Sequence, residues 1–222
     1  MKPPHSQIMI TTADFKKQIG KTFGQEMRAF GFKGTGFEYF QETEEFLIAV
    51  YIDSGRWGKK CTAGFAIHPK VIDKNSEGML NLQKLKSYQY EFKMPLTSYA
   101  RGESWNYSDN ETENIQIVNK IVTSIKKKAF PVIKKFTDTP NFLDLYDIRD
   151  LEDFYNKWTK KTGVFISSSE LVFAWVMTKY LEKKNIQKAK QFAEWGLSQP
   201  KINDKIWFGQ VDFERVASHN GA

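Results

Sequence analysis

Residues 11–52, TTADFKKQIGKTFGQEMRAFGFKGTGFEYFQETEEFLIAVYI, change their hydrophobic period part-way, and that change decides the fold class. Thr11 and Asp14 have the spacing of a capping box, and Phe15, Ile19, Phe23, Met27 and Phe30 then recur every three to four residues. This predicts an amphipathic helix. It stops at Gly31, where Gly34 and Gly36 add turn signals. From Phe46 the period is two: Phe46, Ile48, Val50 and Ile52 point one way, Leu47, Ala49 and Tyr51 the other. A helix that gives way to a half-buried strand predicts an α+β domain.

Downstream, Asp53 to Lys60 reads as a hairpin loop into a strand at Cys61 to His68. Tyr88, Tyr90 and Phe92 alternate in a further strand, and Phe37 with Tyr39 opens the first. The expectation is a four-stranded, mostly antiparallel sheet. Asn110 and Glu113 can cap a long helix with the stripe Ile115, Val118, Val122, Ile125, Ala129, Ile133 and Phe136, kinked at Pro131. Leu151, Phe154, Tyr155 and Trp158 suggest a short helix, and from Ser169 onward the chain reads as helical with breaks around Gln199 to Asn203. A length of 222 residues fits one domain over residues 1–222, an α+β core at 12–137 with a helical extension at 138–222 packed on it.

Hydrophobic residues make up 41% of the chain and aromatics 15%, enough for a real core. Thirty-three basic against 26 acidic side chains leave a net charge of +7 and a pI near 9.2, which permits weak, nonspecific attraction to nucleic-acid phosphate. With Cys61 as the only cysteine, no intramolecular disulfide can form. Pro3, Pro4, His5 and Ser6 stand where an export signal needs an apolar run, and no stretch reaches the roughly 18 to 20 apolar residues of a membrane span. A cytoplasmic protein without membrane partners is expected.

The order of helix, antiparallel sheet, tryptophan and long helix resembles the bacterial domain-of-unknown-function family 4304. The residues that carry the resemblance are Phe15 and Lys16, Gly31 to Lys33, and Trp105 ahead of Asn114 to Ile125, over about residues 12–137. It implies this fold and a bacterial source and no established activity. Further on, Phe173, Val176, Tyr180, Ala189 and Pro200 resemble a single tetratricopeptide helical hairpin.

Chemical motifs are few. Gly20, Lys21 and Thr22 imitate the end of a phosphate loop, but Phe15 stands where its first glycine belongs and the tripeptide lies in a predicted helix. Lys33 to Phe40 matches part of an RNA-recognition signature, with Thr35 replacing a stacking aromatic. His5, His68 and His219 are too scattered for a metal centre, Cys61 lies on the apolar side of its strand, and no cofactor is implied. Two groups remain as candidate binding residues. Arg56 and Trp57 in the hairpin loop, with Arg101 and Trp105 beyond the last strand, are residue types favoured at binding hot spots. Strand parity places Tyr51, His68, Gln89 and Glu91 on one sheet face around small residues, where Glu91 beside His68 would tune proton transfer.

The expected function is noncatalytic binding of another macromolecule, most simply a protein, through the sheet face and the C-terminal hairpin. An immunity or accessory role beside a toxin would suit such a domain by analogy. The alternatives are a weak nucleic-acid binder, and a small-molecule enzyme using an open sheet face with His68 and Glu91.

Overall fold

The computed structural model describes residues 10–54, 59–75, 78–97, 104–199 and 209–219. Helix α1, Thr12–Ala29, starts where the capping box predicts: the Thr11 hydroxyl accepts from Asp14 N–H and the Asp14 carboxylate from Thr11 N–H. It ends with Gly31 at φ 81°, Gly31 N–H bonded to the Arg28 carbonyl and Phe32 N–H to that of Met27. This pattern satisfies the last carbonyls through a left-handed residue that glycine adopts without steric penalty.

Strands β1 (Lys33–Thr35), β2 (Glu38–Glu42), β3 (Phe46–Ser54), β4 (Lys60–Pro69) and β7 (Phe92–Pro95) follow one another across an antiparallel sheet, and β8 (Trp105–Asn106) also pairs with β4. A separate hairpin joins β5 (Lys74–Asn75) to β6 (Gly78–Met79). The remaining helices are α2 (Glu111–Ser124), α3 (Phe130–Thr137), α4 (Phe154–Thr162), α5 (Glu170–Leu181), α6 (Ile186–Ser198) and α7 (Gln210–Ala217). The fold is α+β, and among the described residues no helix is long and apolar enough to cross a membrane.

The chain divides into two compact units. One comprises Met1–Gln41, Ala49–Phe65 and Pro95–Phe130; the other Glu42–Ile48, Ala66–Met94 and Pro131–Ala222. In the first, Phe15 stacks on Tyr107 at 4.2 Å and meets Phe37 edge-on, while Phe23 meets Tyr39 edge-on at 5.3 Å. The predicted stripe of α1 is buried except Phe30, which lies at the cap, half exposed, against Phe130 and under Lys126 Nζ. In the second unit, Phe173 of α5 sits among Phe92, Tyr146, Phe154 and Trp158, with centroids 4.5 to 5.8 Å away. That surrounding cluster explains why α5 is apolar nearly all round.

Three details depart from the expectation. The strand containing Tyr88, Tyr90 and Phe92 begins only at Phe92, because Ser87–Gln89 form a 3-10 turn in which the Gln89 side chain accepts from Lys86 N–H. The strand opened by Phe37 and Tyr39 is present as β2, and the sheet gains two short strands beyond the expected four, β1 beside β2 and β8 beside β4. Pro131 produces a widened π turn over Ile125–Ala129, closed by Phe130 N–H to the Ile125 carbonyl. A proline lacks the donor and crowds the carbonyl four residues back, and the wider turn before it relieves both.

Candidate functional site

A cleft of about 280 Å³ opens in the second unit between the turn that leads into β3, the end of α3 and the end of α5. The turn is held by Thr43: its N–H donates to the Phe46 carbonyl and its hydroxyl accepts from Phe46 N–H, which puts Glu44 and Glu45 at the tip. After α3, Asn141 folds the chain back on itself. Its side-chain oxygen accepts from Leu143 and Asp144 N–H, while the Asp144 carboxylate accepts from Asn141 N–H.

That local turn leaves the buried Asn141 amide free to donate to Glu45 Oε2 at 2.7 Å and to the Tyr180 hydroxyl at 2.5 Å. The hydroxyl is also 3.0 Å from Asp144 Oδ1 and 3.2 Å from Glu45 Oε2, to either of which it can donate its one proton. Lys184, one helical turn after Tyr180, donates to that hydroxyl, to Glu45 Oε1, and lies 4.0 Å from the Tyr180 ring centroid. Asp144 stands 3.7 Å from the same ammonium.

Burial pushes the Tyr180 phenol up to about 12. Burial also opposes the charge on Lys184, but hydrogen bonds to Glu45 and Tyr180 outweigh it and hold the amine above its usual range. Both groups keep their protons at neutral pH, so neither serves as a base. The network builds a stiff, polar wall. Two further lining carboxylates, Glu44 and Asp138, are exposed and form no ion pair among the described residues. Against Lys184, the cleft therefore presents an excess of negative charge in a chain whose net charge is +7.

The residues singled out from sequence lie elsewhere. Arg56, Trp57 and Arg101 fall outside the described residues. Trp105 lies in β8, half buried, paired with Cys61. Tyr51 is half buried in the first unit, whereas His68, Gln89 and Glu91 belong to the second. On the face expected to be open, Ala49, Ala66 and His68 have no exposed surface.

His68 donates or accepts through Nε2 at the Ile72 carbonyl, 2.8 Å away, and its Nδ1 has no hydrogen-bond partner among the described residues. Burial lowers its pKa. Glu91 sits in the bend before β7 and is pushed up to about 7 by burial, with Lys93 opposing. No hydrogen bond joins the Glu91 carboxylate to the His68 ring among the described residues, and Gln89 is occupied in its own turn.

The comparison with protein families matches residues 23–135 to a family described as "Domain of unknown function (DUF4304)". The chain belongs to this family. The DUF4304 segment is about half of the chain and contains the Glu44–Glu45 turn, α2 and most of α3. Asn141, Asp144, Tyr180 and Lys184 lie beyond it, so the cleft joins a DUF4304 edge to the helices that follow. No curated protein and no solved structure matches the chain.

Proposed function

We propose that this DUF4304 protein is a noncatalytic, cytoplasmic bacterial protein that binds another protein by seating a cationic side chain in the cleft at Glu45 and Asn141. The observation that carries the reading is the pairing of a saturated polar wall with two exposed rim carboxylates, Glu44 and Asp138, that form no ion pair among the described residues. Charge complementarity of this kind steers partners and fixes register. The saturated wall offers no poised base or nucleophile. The likeness of α5 and α6 to a tetratricopeptide hairpin fits the same role, because such hairpins present surfaces for other proteins, and α7 packs on both.

The test is affinity purification from the native host with the unaltered chain and with Glu44→Lys combined with Asp138→Lys. A stoichiometric protein retained by the first and lost by the second is expected. A protein held equally by both, or recovery of nucleic acid or a small molecule alone, would overturn the reading.

A further inference from the structure

A second cavity, about 440 Å³, lies beside the cleft and is lined by Lys135, Asp138, Pro140, Phe142, Leu145 and Lys161. The segment between the two is a shared wall whose residues take opposite sides. Thr139, Asn141 and Asp144 line the acidic cleft, Pro140, Phe142 and Leu145 line the second cavity, and Asp138 belongs to both. Leu145 is 66% exposed and gives the second cavity an open aliphatic edge. The two lysines at the rim are already committed. Lys135 Nζ donates to the Lys161 carbonyl, and Lys161 Nζ pairs with Asp150 at 2.7 Å and lies over the Tyr146 ring. The floor that remains is aliphatic and aromatic.

We infer that the two cavities form one bipartite groove that reads a cationic residue and a nearby apolar residue in a single extended segment of the partner protein. This rests on the cation-binding reading above and adds the second specificity element. In an extended strand, residues two apart point the same way, roughly 7 Å apart, which lets neighbouring side chains straddle a wall one residue thick. Charge complementarity selects the first side chain, and the exposed Leu145 shelters the second.

The test is NMR titration of the full chain with three blocked hexapeptides, one carrying arginine with leucine two positions on, one arginine with serine, and one glutamate with leucine. The arginine–leucine peptide should bind about tenfold more tightly than either other peptide, the effect expected from sheltering one aliphatic side chain, and should shift amides on both sides of residues 138–145. Leu145→Asp, on an exposed side chain, should abolish the preference over arginine–serine without lowering the melting temperature. Equal binding of the arginine–leucine and arginine–serine peptides would overturn the bipartite groove and leave the cation site standing. Equal binding of the glutamate–leucine peptide, or no binding of any, would overturn both.

Discussion

The ring of Phe213 in α7 lies so close over Gly196 of α6 that a Cβ there would stand 2.3 Å from Phe213 Cε2. Gly196 is therefore a docking point for the last helix, in the final turn of α6, where alanine would otherwise be favoured by up to about 1 kcal/mol. Gly196→Ala should destabilise the chain by about 1 to 3 kcal/mol, since a ring on a packed helix cannot retreat without losing its contacts. Gly20, in α1, has nothing within 4 Å of its would-be Cβ, and Gly20→Ala should stabilise by about 1 kcal/mol. Urea denaturation of the two variants should move in opposite directions. Stabilisation by both would mean that Phe213 does not rest on Gly196.

The polar wall of the cleft should behave as one unit. Tyr180→Phe keeps the ring that Lys184 covers but removes the hydroxyl that Asn141 donates to, at a cost of about 1 to 3 kcal/mol. Lys184→Met should cost about 1 kcal/mol, because the side chain is 40% exposed and its ion pair is partly screened. With a shared hydroxyl, the double variant should lose less than the sum of the two by at least about 0.5 kcal/mol. Strict additivity in a thermodynamic cycle would remove the case for a coupled network.

How these groups were hidden in the sequence has a physical reason. The capping box at Thr11, the left-handed glycine at residue 31 and the stripe of α1 are local, so short-range spacing reveals them. Tyr180 and Lys184 also carry a local hint, one helical turn apart. Their meaning depends on Glu45, 135 and 139 residues away, and no periodicity encodes that separation. Tyr88, Tyr90 and Phe92 imitated a strand because alternation by two survives a single 3-10 turn. The alternation held for Tyr90 and Phe92, which are buried, and failed at Tyr88, which the 3-10 turn leaves 70% exposed.

Glu91 should make stability fall as pH rises. Its folded pKa of about 7 lies above the ordinary 4.5 because burial disfavours the carboxylate. Below about 4.5 both states are protonated and burial of the group carries no ionic penalty. Between about 4.5 and 7 the unfolded chain releases its proton first, so the folded state binds more protons and loses stability with increasing pH, on the order of 3 kcal/mol by pH 8. His68 acts in the opposite sense: its lowered pKa means that stability falls as pH drops below the ordinary 6.5. Glu91→Gln should therefore stabilise at pH 8 and have little effect at pH 4. A stabilisation independent of pH would show that the carboxylate is not the source.

Cys61 should be chemically silent in the folded chain. It is 1% exposed and burial pushes its thiol up to about 12, so almost no thiolate exists at neutral pH. A thiol reagent should label it only at the rate of unfolding, and Cys61→Ser should leave a folded protein whose stability a chelator does not change. Rapid labelling under native conditions would contradict the buried position.

The C-terminal helices should prove inseparable from the unit they belong to, and with it the reading of the chain as one domain stands or falls. Residues 163–222 supply more than a hairpin. Phe173 fills the ring cluster of Phe92, Tyr146, Phe154 and Trp158, and the Ser167 N–H and Ser168 hydroxyl cap the Lys93 and Glu91 carbonyls beside β7. The buried Trp175 indole donates to Asp212, which Lys74 pairs at 3.0 Å, so α5, α7 and the β5 hairpin meet at one buried carboxylate. A chain ending at Thr162 would uncover Phe92, Tyr146, Phe154 and Trp158 together. Each large side chain exposed costs on the order of 1.5 to 3 kcal/mol, and several such losses rival the ~5 to 15 kcal/mol that stabilises a typical domain. The shortened chain should aggregate, or melt far below the full one. The converse piece should fare no better, because α5 is buried on nearly every side and a lone set of α5, α6 and α7 would expose Phe173 to water. If the chain ending at Thr162 stays monomeric with an unchanged melting temperature while residues 163–222 fold alone, the helices are a detachable module and the one-domain reading fails.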